Sequence, residues 1–221
     1  QTKVITLHGV RLSTGPETPK LVRSLIFKQN YESDEAALLA QAVHQGDCVL
    51  EIGAGIGFIG LLAARRASPG KVTSYEANPK VENLIRANYA LNELAPELRM
   101  KAITQDGKKL RFQQSANVLS SSTMVRHDVD ATEVTVEAEA IADVLASIRP
   151  TTVIMDVEGA EANLLPAVIS GGVSRILVEL HPNIIGPQAT ETLKSQAVSS
   201  GYKILAELGD NVLFHRDDAT K

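Results

Sequence analysis

The stretch Val49–Gly60, VLEIGAGIGFIG, constrains this chain more than any other. A short apolar run leads straight into glycines at 53, 55, 57 and 60. Cys48–Ile52 reads as a buried strand, and Gly57–Ala67 as a helix closed by Ser68-Pro69-Gly70. The glycines therefore fall in a tight strand-to-helix turn. Alternate glycines weaken a strand end unless something lies against it. Without a Cβ, the backbone can turn sharply and approach a ligand closely. The same alternation continues: strand Lys71–Glu76, helix Pro79–Leu91, strand Leu98–Thr104, strand Thr152–Asp156, helix Glu161–Ser170, strand Arg175–Leu180, helix Gln188–Ser200. Alternating strands and helices imply a mostly parallel sheet with helices on both faces.

The ends of the pattern are less regular. Residues 1–32 read as a mixed prelude, and 33–221 as one domain. A helix is expected to start at Ser33 as N-cap, with Asp34 and Glu35 in its first turn. Asp106-Gly107 has the chemistry of a hairpin turn into Lys109–Gln113. Val134–Ala138 is expected to be a strand and Ala140–Ile148 a helix. The polar segment 114–132, with Ser120-Ser121-Ser122, is expected to be a mobile flap near the site. At the close, strands Tyr202–Glu207 and Val212–Arg216 are separated by four residues. A parallel crossover needs about a dozen residues, so the last strand must run antiparallel.

The register of the glycines selects the cofactor. A dinucleotide loop starting at Gly53 would need a glycine at 58, which is Phe58. The E-x-G-x-G-x-G register of Glu51, Gly53, Gly55 and Gly57 fits the strand end without adjustment, and it is the S-adenosylmethionine loop. The expected cofactor contacts are Glu51, Gly53, Ala54, Gly55 and Gly57, with Glu51 facing the ligand's amino-acid portion. Glu76 ends the next strand, 19 residues after Gly57, followed by Ala77 and Asn78. A carboxylate there can accept both ribose hydroxyls.

A second set of polar residues belongs to the same rim. The strand Val153-Ile154-Met155 ends in Asp156, followed by Glu158 and Glu161; the next ends in Glu179 and His181. Ligands of open parallel sheets sit beyond these C-terminal strand ends. Glu161 reads equally well as a helix N-terminal acid favoured by the macrodipole. Asp156 and His181 are the candidate catalytic groups, each a candidate base for a hydroxyl acceptor, with His181 alternatively orienting it. No metal site is assigned, although Asp156 with Glu179 offers oxygen ligands suited to Mg²⁺ as an alternative activator.

The segments YESDEAALLAQAVHQGDCVLEIGAGIGFIG, YEANP, NYALN, AITQDGKKLRF, IMDVEGAEANLLP and LVELH together resemble the FkbM family of S-adenosylmethionine-dependent methyltransferases. The resemblance runs from about Tyr31 to His181, and the D-V-E-G-A-E segment is its most specific part. It implies a class I, Rossmann-like methyltransferase fold and O-methylation of a hydroxyl on a sugar or small molecule.

Bulk composition adds exclusions. The net charge of −4, with 22 bases against 26 acids, argues against nucleic acid as the partner. One cysteine excludes a disulfide framework. Apolar runs fall short of the about 18 residues that span a bilayer, so no membrane partner is expected. QTKVITLHGV lacks a signal-peptide core, so a cytoplasmic location is expected. Two rival readings remain: a binding scaffold that has lost catalysis, and an NAD-dependent oxidoreductase, disfavoured by Phe58 and the closing hairpin.

Overall fold

The computed structural model describes residues 3–94, 96–114 and 132–217. The chain opens with a hairpin, β1 (Val4–Leu7) and β2 (Val10–Ser13), then helix α1 (Lys20–Phe27). Next come α2 (Ser33–Ala42), β3 (Cys48–Ile52), α3 (Phe58–Ala67) and β4 (Lys71–Tyr75). A 3-10 turn at Pro79–Val81 leads into α4 (Glu82–Ala90), β5 (Glu97–Arg99) and β6 (Ala102–Thr104). Then follow β7 (Leu110–Gln114), β8 (Thr132–Val136), β9 (Ala138–Ala140), α5 (Ile141–Ile148), β10 (Thr152–Met155) and α6 (Glu161–Ser170). The chain closes with β11 (Arg175–Glu179), α7 (Pro182–Ile185), α8 (Pro187–Ser199), β12 (Lys203–Leu208) and β13 (Asn211–His215).

The central sheet has seven strands in the order β12-β13-β11-β10-β3-β4-β5. From β11 to β5 all neighbours are parallel. β13 runs antiparallel to both β11 and β12, as the short closing connection requires. The order reverses between β3 and β10, which opens the crevice where ligands bind in such sheets.

Successive side chains of the central strands bury on opposite faces. Val49 and Ile154 join the apolar layer of α2 and α3, while Leu50 and Met155 join that of α6 and α8. Strands buried on both faces read as continuous apolar runs, and this is why β3 and β10 are legible. Leu7, Val10 and Leu12 of the opening hairpin join the first layer, so the prelude is packed structure.

Several local expectations are corrected. The N-cap of α2 is Glu32, left-handed at φ 47°, and Ser33 is already helical. Leu98–Thr104 is two strands, not one. β5 stays in the central sheet, whereas Ala102 N donates to Glu137 O (2.9 Å) and β6 pairs with β9. Asp106-Gly107 does turn, with Lys108 N donating to Asp106 Oδ1 (3.1 Å). The flanking strands pair elsewhere, β6 with β9 and β7 with β8, so no hairpin forms. The expected flap at 114–132 lies almost wholly outside the described residues. Among the described residues no helix is long and apolar enough to cross a membrane.

Candidate active site

The loop after β3 is shaped by its neighbours as much as by any ligand. Gly53 has φ 94°, and a Cβ there would collide with the Asp156 carbonyl oxygen. Three strand ends are locked together: Asp156 N donates to Ile52 O (3.0 Å), and Gly53 N and Ala54 N donate to Tyr75 O (2.9 and 3.1 Å). Gly57, at φ 83°, precedes α3, where a Cβ would lie 2.6 Å from Tyr89 Cε1. Gly55 differs: at φ 56°, its Cβ would meet only the Tyr31 hydroxyl, at 3.6 Å.

A cavity of about 320 Å³ opens above this loop, within the range of small-molecule sites. Gly53, Gly55, Glu76, Ala77 and Asn78 line one side, from the ends of β3 and β4. Asp156, Glu158, Glu179 and His181 line the other, from the ends of β10 and β11. Tyr31 and Glu32, just before α2, add a wall that sequence reasoning missed. Their only signal was proximity to the Ser33 helix start. Glu32 is also one of the few non-glycine residues held at positive φ, and such strain clusters at functional sites.

Glu76 is clasped into the loop. Its Oε2 accepts from Gly55 N (2.9 Å) and its Oε1 from Asn78 N (2.7 Å). Burial raises its carboxyl pKa, and these backbone donors oppose the rise. Asn78 Oδ1 in turn accepts from Lys80 N (3.0 Å). Glu51, expected to face the ligand, instead lies beneath the loop, 1% exposed. Its Oε2 accepts from the Ser74 hydroxyl, and burial lifts its pKa to about 7. Ala54 and Gly57 also lie behind the cavity wall rather than on it.

The acidic side is organised around His181. Its backbone N donates to Glu161 Oε1 (2.9 Å), and Nδ1 lies 3.2 Å from the same oxygen. The Glu161 side chain is fully buried, and its Oε2 accepts from Gly159 N (2.7 Å). Helix position alone gave Glu161 a simpler role; the contact crosses 20 residues and no spacing rule reveals it. His181 Nε2 faces Asp156 Oδ1 at 3.6 Å and Glu158 Oε2 at 3.9 Å.

Burial lowers the His181 pKa, but Glu161, Asp156 and Glu158 more than reverse this and hold it at about 9. Burial, with Glu179 and Glu32 nearby, holds the Asp156 carboxyl well above the usual range. Burial and the field of Glu179 bring Glu32 to about 7. The site thus gathers a histidine and several carboxyls whose pKa values are all raised, a set suited to holding and exchanging protons.

Solved structures share this fold at low identity. Trm5b from Pyrococcus abyssi matches with a TM-score of 0.53 at 15% identity, over 97% of this chain and 55% of that one. This chain thus spans about half of that protein. TYW2 from M. jannaschii, solved with AdoMet, matches with a TM-score of 0.51 at 15% identity, over 98% and 87%. A Pyrococcus abyssi tRNA (uracil-54, C5)-methyltransferase, solved with S-adenosyl-L-homocysteine, gives 0.51 at 13%, over 97% and 43%. No curated protein matches significantly.

The model of the TRM5/TYW2 methyltransferase domain matches residues 22–142. This overturns the FkbM resemblance, whose most specific segment, Asp156–Glu161, lies outside the matched residues. The expected small-molecule or sugar acceptor and the exclusion of nucleic acid are corrected with it, since the similar structures include a tRNA (uracil-54, C5)-methyltransferase. Net charge misled here, since a whole-chain sum says nothing about one surface. With 22–142 matched out of 221 residues, the chain belongs to the TRM5/TYW2 methyltransferase domain family and is an S-adenosylmethionine-dependent methyltransferase.

Proposed function

We propose that this chain methylates a nucleotide of an RNA of the tRNA class. In this reading S-adenosylmethionine lies against Gly53, Gly55, Glu76, Ala77 and Asn78, and the acceptor meets Asp156 and His181. One observation carries it: one cavity joins the glycine loop and clasped Glu76 on one side of the switch to the acid–histidine set on the other.

The residues present fit the cofactor. Glu76 lines the cavity with its carboxyl fixed by Gly55 N and Asn78 N, and its oxygens can only accept, which suits a ribose hydroxyl donor. Gly55 keeps the loop wall open, and Val81 and Ile103 offer apolar lining for a base. When bound, the cofactor supplies a methyl group activated by its sulfonium, and the acceptor lone pair forms the new bond to carbon as the carbon–sulfur pair returns to sulfur.

The chain's own residues handle the acceptor. Carboxylates accept from N–H donors on base edges and repel phosphates, so the acidic side favours an inserted base or ribose over the backbone. Asp156 takes the acceptor's proton, and His181, cationic below about pH 9, orients and balances that carboxylate. Positioning of this kind contributes up to about 7–11 kcal/mol to such reactions.

The test uses S-adenosylmethionine labelled in its methyl group and an unmodified tRNA transcript. Wild type should move label into RNA. Asp156→Asn should bind the cofactor within about twofold of wild type but lose on the order of 10²-fold or more in rate. Tight cofactor binding with no label in RNA would overturn the proposal.

A further inference from the structure

We propose that Asp156, Glu179 and His181 bind one divalent metal ion, of the Mn²⁺ or Mg²⁺ class. They come from the C-terminal ends of the adjacent parallel strands β10 and β11. Each offers one ligand atom, and all three atoms lie within 4.8 Å of one another. Atoms sharing an ion at about 2.0–2.2 Å lie no more than about 4.4 Å apart. Small side-chain rotations close that gap. Two carboxylates and one imidazole suit a hard ion, with Mn²⁺ favoured by the nitrogen.

A second observation sets this group apart from an ordinary acidic cluster. His181 Nδ1 is engaged by Glu161, a carboxylate with no exposed surface, which in turn is fixed by Gly159 N. A metal-binding histidine almost always gives its other ring N–H to such a partner. With that N–H committed, Nε2 directs a lone pair toward Asp156 Oδ1, 3.6 Å away, once an incoming ion displaces the ring's second proton. This oxygen is buried and has no hydrogen-bond partner among the described residues. Two acceptors face each other across a gap, and a shared cation satisfies both. The competing arrangement is a second proton on the ring, giving a simple ion pair.

The ion has a consequence that rests on the proposed RNA acceptor. Glu32, Asp156, Glu158 and Glu179 line the cavity, and in their ionised forms they repel a polyanion. A bound divalent ion offsets two of those charges and leaves coordination positions for an oxygen of the acceptor. Binding of the ion itself does not depend on that reading.

The experiment is a titration of the full chain with MnCl₂ alone, up to about 1 mM, followed by calorimetry and by loss of the free-ion electron paramagnetic resonance signal. One ion should bind per chain, and His181 ring resonances should broaden first. Glu179→Gln, checked for folding by circular dichroism, should bind at least about 10-fold more weakly. No saturable binding, unchanged affinity in folded Glu179→Gln, or broadening away from His181 would each overturn the proposal. Methylation of RNA would survive the first two results, so failure here is distinct from failure of the proposed function.

Discussion

His181 Nδ1 lies 3.2 Å from Glu161 Oε1, and the Glu161 side chain has no exposed surface. This contact sets the direction of Nε2 and therefore the geometry of the whole acidic side. Glu161 does not line the cavity, so its expected role is to position His181. Glu161→Gln should leave cofactor affinity within about twofold but lower the rate of methyl transfer. It should destabilise the fold by about 1–3 kcal/mol through the loss of buried charge-assisted hydrogen bonds. The His181 pKa, about 9 in the native chain, should fall, since Glu161 is the strongest influence raising it. A raised histidine pKa contributes stability fully present below the unfolded value and lost as pH rises through about 9. Chemical-shift titration of His181 measures this, and an unchanged pKa would contradict the positioning role.

Glu76 should matter to the cofactor and little to turnover. Its carboxylate is fixed by Gly55 N and Asn78 N and lines the cavity where a ribose would lie. Glu76→Ala should weaken S-adenosylmethionine by about 1.5–3 kcal/mol, the scale of hydrogen bonds to a charged group. Calorimetric titration checks it, and affinity within twofold of wild type would refute the ribose contact.

Gly53 should tolerate no side chain. Its φ of 94° is strained for any other residue, and a Cβ meets the backbone carbonyl of Asp156 rather than a movable side chain. Gly53→Ala should therefore lower stability by at least about 1–3 kcal/mol and shift β3 relative to β10. Denaturant unfolding reads the first effect. A midpoint equal to wild type would show that the two strand ends are not as closely locked as described.

These contacts mark what the sequence could and could not reveal. Cys48–Ile52 and Glu161–Ser170 are legible to the residue, because a doubly buried strand and a helix with an acid in its first turn and glycines at its end are local patterns. The antiparallel β13 follows from the length of a single connection. The opening hairpin is hidden because its turn is His8-Gly9, at φ 46° and 81°, in place of Asn-Gly or Asp-Gly. The division at Met100 depends on a partner, Glu137, far along the chain. The same holds for the site. Glu76 and Asp156 are strand-end acids that a rule locates, whereas Tyr31, Glu32 and the Glu161–His181 contact arise from tertiary packing. Glu51 fits the motif, but its side chain is buried against Ser74 and does not line the cavity.

Glu51 makes stability depend on pH. Its carboxyl is buried against Ser74, with Oε1 lacking a hydrogen-bond partner among the described residues. Its pKa of about 7 lies above the ordinary 4.5, so the folded state prefers the protonated form. Stability from this group is fully present below about pH 4.5 and is lost as pH rises to about 7, by up to about 3 kcal/mol. Glu51→Gln mimics the protonated form and should flatten this part of the curve. Unfolding free energies of the two proteins from pH 5 to about 8 that run parallel would contradict the assignment.

The central claim, methyl transfer to RNA in this cavity, is tested most directly by following the methyl group itself. The chain is incubated with trideuteromethyl-labelled S-adenosylmethionine and unmodified tRNA, and the RNA is digested to nucleosides and weighed by mass spectrometry. A single nucleoside should carry the heavy methyl group, and Asp156→Asn, with cofactor affinity intact, should yield little of it. A wild-type chain that binds S-adenosylmethionine yet leaves every nucleoside unlabelled would contradict the account.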